Sequence, residues 1–581
     1  MRIPAVVVAA VAALASGVML RASAGVSLTD VSAAAGIAVT HVNGAAGKKY
    51  LPETMGSGAA FVDVDGDGDQ DLIVVSGVWT PGSSYARLFK NDGGGRFAEA
   101  TAASGLGLPS QPAAASARRP GDGPALAGPE YGMGIAAGDY DNDGAADLLL
   151  TSVGSVRLFR NAGGGRFTDA TAKAGLGGRR AFSTSAMWFD YDKDGHLDLL
   201  ICNYVQWTPQ SDVFCSADGK AKSYCTPEAY RGSTSWLYRN KGDGTFDDVT
   251  AKAGFFDVTS KSLGVTLLDY DQDGWPDVFV ANDTQPNKLY RNNGNGTFTE
   301  LGLKAGVAFS EEGRARAGMG VDAVDLDGSG RPTVAVTNFS GEMLGLFRAE
   351  SDGQYVDRAP GSDIGRATRQ TLGWGCFFFD VDLDGQQDLL VVNGRLDASR
   401  VATGAPAGVA TDTPHLFLNA NGRFTDIARD AGATFAKPKM GRGAAFADID
   451  ADGDLDAVIT TNGGPVHLYR TDLPAGNRSV RLRLVGNPQS GQIGSNRDGI
   501  GARATVRVGK ASASRIVRTG SSYLSQSELP LTFGLGTAAK ADEVTIVWPS
   551  GKRDVLGALD AGQEYTVTEG RGVTGKRATR R

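Results

Sequence analysis

Aspartates recur along this chain in one fixed grouping. "DYDNDGAAD" places Asp139, Asp141, Asp143 and Asp147 at the first, third, fifth and ninth positions of a short loop, with Gly144 at the sixth. The grouping returns in "DVDGDGDQD" (Asp63, Asp65, Asp67, Asp71), "DYDKDGHLD" (Asp190, Asp192, Asp194, Asp198) and "DYDQDGWPD" (Asp269, Asp271, Asp273, Asp277). It appears again in "DVDLDGQQD" (Asp380, Asp382, Asp384, Asp388) and "DIDADGDLD" (Asp448, Asp450, Asp452, Asp456). A further copy, "DLDGSGRPT", is fifth in chain order and keeps Asp325 and Asp327 but has Ser329 and Thr333 in place of the other two.

Four carboxylates this close repel and raise one another's pKa values unless a cation joins them. Oxygen ligands at positions one, three, five and nine, a backbone carbonyl at seven and glycine at six for the sharp turn match the start of an EF-hand calcium loop. A flexible carboxylate loop suits Ca2+ better than Mg2+, which demands an octahedron and keeps its waters. Asp and Gly also favour plain turns, but six copies in one four-aspartate register exceed what turn chemistry asks for. The expectation is about six Ca2+ ions, one per intact loop, with weak or absent binding at the fifth.

The elements that must hold these loops repeat with them. Before each loop lies a small-residue strand such as "YGMGIAAGD"; after it come "DLLLTS", "RLFRN", a glycine turn and "FTDAT". Four strand-sized pieces joined by turns describe a propeller blade, and a basal period of about 50 to 55 residues with insertions fits the spacing. The expected fold is all-β, a seven-bladed propeller over 25–470. The last unit lacks its "FTDAT" piece, while "LTDVSAAAGI" at Leu28 is a spare copy near the N-terminus, so that segment should supply the missing outer strand and close the ring. Insertions fall at 107–130, 203–232 and 395–414. From 478 to 569 short alternating runs such as "SVRLRLV" and "EVTIVW" predict a small β-sandwich or barrel, followed by a frayed basic tail over 570–581.

Composition narrows the function classes. The 81 glycines among 581 residues favour turns and short strands, and a net charge of −7 with scattered basic residues gives no nucleic-acid footprint. Residues 1–24 combine Arg2, an apolar run and the small-residue site Ala22-Ser23-Ala24, the pattern of a cleaved secretory signal; retention as a membrane anchor is the alternative. No later apolar run is long enough to span a bilayer. The protein should therefore be secreted, extracellular or periplasmic. Of the four cysteines, Cys215 and Cys225 lie ten residues apart in an insert and are the candidate disulfide; Cys202 and Cys376 flank apolar strands and read as buried thiols.

An enzyme needs a poised base, nucleophile or catalytic metal. The four histidines are His196 inside the third loop, His415 and His467 ahead of apolar strands, and His41, which lies near Asn43 and Glu53 in a segment outside the repeat. Ser525 in "YLSQS" has no base beside it in sequence. No catalytic residue or organic cofactor is assigned. Trp188 or Trp374 converging with His41 or Glu53 on one pocket would point the other way.

The units, with a Gly-rich strand before "DxDxDGxxDL" and "LYRNxGxGxF" after it, resemble FG-GAP or VCBS repeats, as in integrin α-subunit heads. The stretch containing "NRDGIGARATVRVG" and "VTIVWPSGKRDVL" resembles the ASPIC/UnbV domain, and "YCTPEAYRG" resembles the third-blade insert of the cartilage acidic protein-like family. The resemblance implies a secreted calcium-binding propeller that recognises an extracellular or envelope protein or glycan. The alternative is an exported enzyme with its site in the propeller channel or at the junction with the C-terminal domain.

Overall fold

The structure is a computed structural model that describes residues 25–78, 84, 86–107, 130–216, 218–350, 353–396, 412–488 and 494–580. The expected leader over 1–24 and most of the insertions at 107–130 and 395–414 lie outside the described residues. Among the described residues no helix is long and apolar enough to cross a membrane.

Among the described residues, strand pairing yields seven four-stranded antiparallel units, two of which share hydrogen bonds between Ala181–Phe189 and Asp147–Gly154. The third unit illustrates the plan: Ala181–Phe189, Asp198–Asn203, Trp236–Asn240 and Phe246–Asp248 pair in chain order. The first strands pack beside one another in a closed cycle, from Ala59–Val62 round to Gly441–Ala447 and back. They are buried along nearly their whole length. In the seventh unit the fourth strand is Ser27–Asp30, which pairs with His467–Asp472 from Ser27↔Asp472 to Asp30↔Tyr469. The N-terminal segment thus closes the propeller, and a sheet edge that would otherwise stand open is covered.

The C-terminal part forms two four-stranded sheets. One orders Leu531–Gly534, Ser479–Val485, Gln563–Thr568 and Gly572–Ala578; the other orders Ala511–Ile516, Arg503–Val508, Glu543–Val547 and Arg553–Leu556. The expected frayed tail is instead a strand, paired from Gln563↔Ala578 to Thr568↔Gly572. Its basic residues have partners that no local pattern announces: Arg577 donates to Asp69 Oδ1 at 2.7 Å, and the Arg580 backbone N–H donates to the Ala451 carbonyl at 2.6 Å.

Between Ile516 and Leu531 the chain leaves this sandwich and threads the middle of the ring. Ala59 N–H donates to Ser525 Oγ at 3.1 Å, Ala137 N–H to Gln526 Oε1 at 2.8 Å, and Leu524 N–H to Ser185 Oγ at 3.0 Å. Thr266 Oγ1 donates to the Gly520 carbonyl at 3.0 Å, Ser522 N–H to the Val321 carbonyl at 2.7 Å, and Phe446 N–H to Ser527 Oγ at 3.1 Å. This plug explains the small residues of the first strands. A Cβ on Gly58 would lie 1.7 Å from the Leu524 carbonyl oxygen, and one on Gly375 would lie 3.0 Å from Ser522 Oγ. The Asp loops join first to second strands at one end of each unit, and the sandwich sits on that end. The insert at 204–235 joins the second and third strands of its unit at the opposite end.

Candidate metal centres in the blade loops

Each intact loop is wound by two left-handed residues. The sixth-position glycines have φ of +95° at Gly68, +94° at Gly144, +85° at Gly195, +82° at Gly274, +93° at Gly385 and +93° at Gly453. The fourth position is left-handed too: Gly66, Asn142, Lys193, Gln272, Leu383 and Ala451. For Leu383 that conformation costs about 1 kcal/mol, and the loop keeps it because the turn must bring its carboxylates round one centre. The first aspartate anchors the turn: Asp139 accepts Asp143 N–H at 2.9 Å and Gly144 N–H at 2.7 Å, and Asp190 accepts the equivalent pair at 3.0 Å each.

The ninth-position aspartate is a staple. Asp198 accepts the N–H of Tyr191 at 3.0 Å and of Asn240 at 2.8 Å; Asp147, Asp277, Asp71, Asp388 and Asp456 repeat the arrangement. Asn240 sits in the "RN" that ends the third strand. Its side-chain amide donates to the Leu197 carbonyl at 2.9 Å and to the Tyr140 carbonyl of the preceding loop at 2.8 Å. Asn91, Asn161 and Asn292 stitch their own loops to the preceding ones in the same way. The sequence reading missed these asparagines, although an Asn stands at or beside the end of the third strand in five of the seven units, three times as "RN", and was a visible signal.

The carboxylates converge. One oxygen from each of Asp63, Asp65 and Asp71 lies within 4.8 Å of the others, as do triads Asp139/Asp141/Asp147, Asp190/Asp192/Asp194, Asp269/Asp271/Asp273 and Asp380/Asp382/Asp388. At the third position, Oδ1 of Asp65, Asp141, Asp192 and Asp450 is buried without a hydrogen-bond partner. The other oxygen is held by a cation from the third strand, Lys90 at 3.0 Å for Asp65 and Arg239 at 2.5 Å for Asp192. Burial, helped by neighbouring carboxylates and opposed by backbone N–H bonds and at two loops by an arginine, pushes Asp147 up to about 9 and Asp277 to about 8, with Asp71, Asp139, Asp380 and Asp448 at about 7. Buried carboxylate oxygens aimed at a shared centre, with no donor to satisfy them, fit a hard cation such as Ca2+. The fifth loop keeps the Gly330 N–H to Asp325 Oδ2 bond at 2.8 Å but has no ninth carboxylate.

The sandwich reaches these loops with charged side chains that the sequence did not connect to them. Arg483 lies 3.4 Å from Asp63, Arg503 2.6 Å from Asp269, Arg515 3.7 Å from Asp380 and Arg481 3.3 Å from Asp448, each at the first position of its loop. Arg481 is also bound by Glu528 and Glu564. At the second loop the contact is an acid: Asp498 accepts the Asp139 N–H at 2.7 Å.

The remaining candidates lie outside the blade loops. His41 is buried, with Gly463 N–H donating to its Nδ1 at 3.0 Å, and burial pushes it down to about 3. Glu53 is bound by Tyr224 OH at 3.0 Å, and its backbone carbonyl accepts from Asn43 and Asn462. Trp188 packs into the core shared with the sandwich; Trp374 packs against Tyr523 of the plug and under the buried Arg442 guanidinium at 4.1 Å. Trp188 stands apart in the core shared with the sandwich, whereas His41 and Glu53 are joined through Asn462–Gly463, and Arg442, which binds the Thr54 carbonyl, lies beside Trp374. Ser525 spends its hydroxyl on the plug's own Tyr523 carbonyl and on Ala59. Cys215 and Cys225 are disulfide-bonded with Cα atoms 5.3 Å apart, and Cys202 and Cys376 are free and buried.

Residues 63–150, 139–201, 210–280 and 269–336 match the FG-GAP-like repeat, and 491–574 match the family described as ASPIC and UnbV. Among solved structures similar to this chain is a lectin from Agrocybe aegerita that recognises non-reducing terminal N-acetylglucosamine (17% identity, 71% of this chain and 87% of that one, TM-score 0.37). Another is the BP39L lectin from Burkholderia pseudomallei (11% identity, 72% and 96%, TM-score 0.41). The chain is an FG-GAP-repeat propeller protein with a C-terminal ASPIC and UnbV domain. It is homologous to cartilage acidic protein 1, being 24% identical over 527 residues to the Mus musculus protein (86% of this chain, 71% of that one) and 24% over 530 residues to the Homo sapiens protein (86% and 70%).

Proposed function

We propose that this is an exported recognition module whose six intact loops carry structural Ca2+ and whose insert-bearing end captures an extracellular or envelope protein or glycan. The observation that carries this reading is the distribution of surfaces. The plug fills the channel and the sandwich covers the loop end, so the end bearing the disulfide insert is left to meet a partner. On that insert Phe214 is 64% exposed and Val213 39%, apolar surface held out on a stapled loop. The homologous cartilage acidic proteins support an extracellular setting. In the loops, a bound cation would neutralise the converging carboxylates and cross-link the first and second strands of each unit.

Two measurements test the parts separately. Residues 25–581 should retain about six calcium ions by elemental analysis and melt at a much lower temperature after chelation, since a ligand bound only by the native state stabilises it; a protein that retains none and melts unchanged removes the calcium reading. Screening the protein against glycans and extracellular-matrix proteins should give a binder that Phe214→Glu loses without a change in melting temperature. Undiminished capture by that variant removes the assignment of the face.

A further inference from the structure

The six intact loops are not equivalent in what the sandwich brings to them. At the first loop Arg483 is shared with Glu564 at 3.4 Å, and at the seventh Arg481 is shared with two glutamates. At the second loop Asp498 and Arg497 arrive together, the acid on the Asp139 N–H and the guanidinium beside Gly144. At the sixth, Arg515 stands off at 3.7 Å. The fourth loop is the exception. Arg503 touches Asp269 Oδ2 at 2.6 Å, and among the described residues that is the only ion pair Arg503 makes. The third-strand Arg291 holds Asp271 and Asp273 at the same time, as Arg160 and Arg239 hold the equivalents in the second and third loops. Two guanidiniums therefore address one four-carboxylate loop, and Asp271 and Asp273 are exposed. Beside the loop, Asp269, Gln272, Trp275, Lys193, Arg503 and Trp548 line a cavity of about 210 Å³ at the junction with the sandwich.

We infer that the fourth loop is the weak, exchangeable cation site of the set, and that its cation competes with Arg503 for Asp269, so its occupancy is coupled to the seating of the sandwich. The inference rests on the calcium reading of the loops and adds a division among them. A fixed positive charge against the first ligand opposes a second one arriving at the same carboxylate. By linkage the cation must loosen the Arg503 contact by the same factor by which Arg503 weakens the cation. The exposed third and fifth positions and the adjoining cavity give the ion a route to solvent.

The loop carries its own reporter. Trp275 occupies the seventh position, where the backbone carbonyl would face the cation, and the Lys193 ammonium sits 4.3 Å from its ring centroid. The test is a titration of the calcium-loaded full chain against buffers of falling free calcium, reading tryptophan fluorescence with the Trp275→Phe protein as the background to subtract, and melting temperature in parallel. The Trp275 signal should change at a free calcium concentration on the order of tenfold above that at which melting temperature falls. Arg503→Gln should lower the Trp275 midpoint by on the order of tenfold and leave the melting transition's calcium dependence in place. A Trp275 signal that moves together with the melting transition, or one that Arg503→Gln leaves unmoved, overturns the inference. A chain that holds no calcium by elemental analysis overturns the loop reading beneath it, and is told apart from either result by that count.

Discussion

The fifth unit and its six siblings share a backbone plan but are held together differently. In an intact unit the ninth-position aspartate staples two backbone amides, and in four of them an asparagine on the third strand ties the loop to the one before it. The fifth unit has Thr333 and Ala349 at these two places, so the staple and the stitch are lost together. It has something the others lack. Asp322, three residues before the loop, is fully buried on the first strand; it accepts the Phe378 N–H of the sixth unit at 2.8 Å and pairs with Arg518 of the plug segment at 2.5 Å. The equivalent positions in the other units are Ala60, Ala136, Met187, Thr266, Phe377 and Ala445. Where the four-aspartate register is broken, the unit is fastened to the plug by a buried ion pair instead. A repeat can lose its own aspartates if the domain that threads the ring takes over the fastening.

The comparison breaks most directly at Asp322. Removing one partner of a buried pair leaves an uncompensated charge, so Asp322→Ala should cost about 3–5 kcal/mol in urea or thermal unfolding. Asp322→Val with Arg518→Met should recover most of that loss, because replacing both partners removes the stranded charge. If Asp322→Ala costs under about 1 kcal/mol, the pair is not what holds the fifth unit.

On the intact side, Asn240→Ala removes two donors from buried carbonyls, Leu197 and Tyr140, and the acceptor for Gly242 N–H at 2.9 Å. The expected cost is about 2–3 kcal/mol. Ala349→Asn in the fifth unit should return none of this by itself, since Thr333 offers no carboxylate to organise the turn. Equal and opposite effects at the two positions would mean that the asparagine acts alone and the staple is incidental.

The seam between the seventh and first units is the other interruption of the repeat, and it is fastened by a residue that titrates. His41 N–H donates to the Gly464 carbonyl at 2.8 Å, while the ring accepts from Gly463 on the seventh unit and lies 3.3 Å from the Gly77 nitrogen on the first. Burial holds the folded-state pKa at about 3, against an ordinary value of 6.5. The neutral ring is favoured in the fold, so this contribution is complete above pH 6.5 and is lost as pH falls toward the folded value. Between pH 7 and pH 5 the loss should be about 2 kcal/mol, and His41→Gln should flatten that part of the stability profile.

Much of this architecture was legible because the repeat is strict. The period-two apolar runs, the glycine turns and the spare "LTDVS" copy fixed the strands and the closure at Ser27–Asp30, and the four-aspartate register located the converging carboxylates. What escaped has a common physical character: it depends on which residues meet across long stretches of chain. "GSSYLSQSELP" reads as a polar loop, and nothing local says that it threads a ring made by seven other segments. The basic tail read as a solvated end because Arg577 finds Asp69 only after the whole chain is folded. Even the small residues of the first strands, plain in the sequence, acquired their reason only when Leu524 was found against Gly58.

The finest test restores the fifth loop. Its backbone is already wound for a cation: Gly328 and Gly330 are left-handed at +72° and +81°, and Gly330 N–H still binds Asp325. The third-strand cation is in place as well, with Arg348 3.2 Å from Asp327 as Arg239 stands to Asp192. Only the oxygen ligands and the stitch are missing. Ser329→Asp, Thr333→Asp and Ala349→Asn together should add one calcium ion to the count by elemental analysis and raise calcium-dependent stability by about 1 kcal/mol at a concentration several times the dissociation constant. The gain should be small, because Asp322 and Arg518 already hold this unit. It should grow when Asp322→Ala is added, since the restored loop would then carry the fastening alone. A triple variant that binds no further ion would mean that the fifth unit differs from its siblings in more than its side chains.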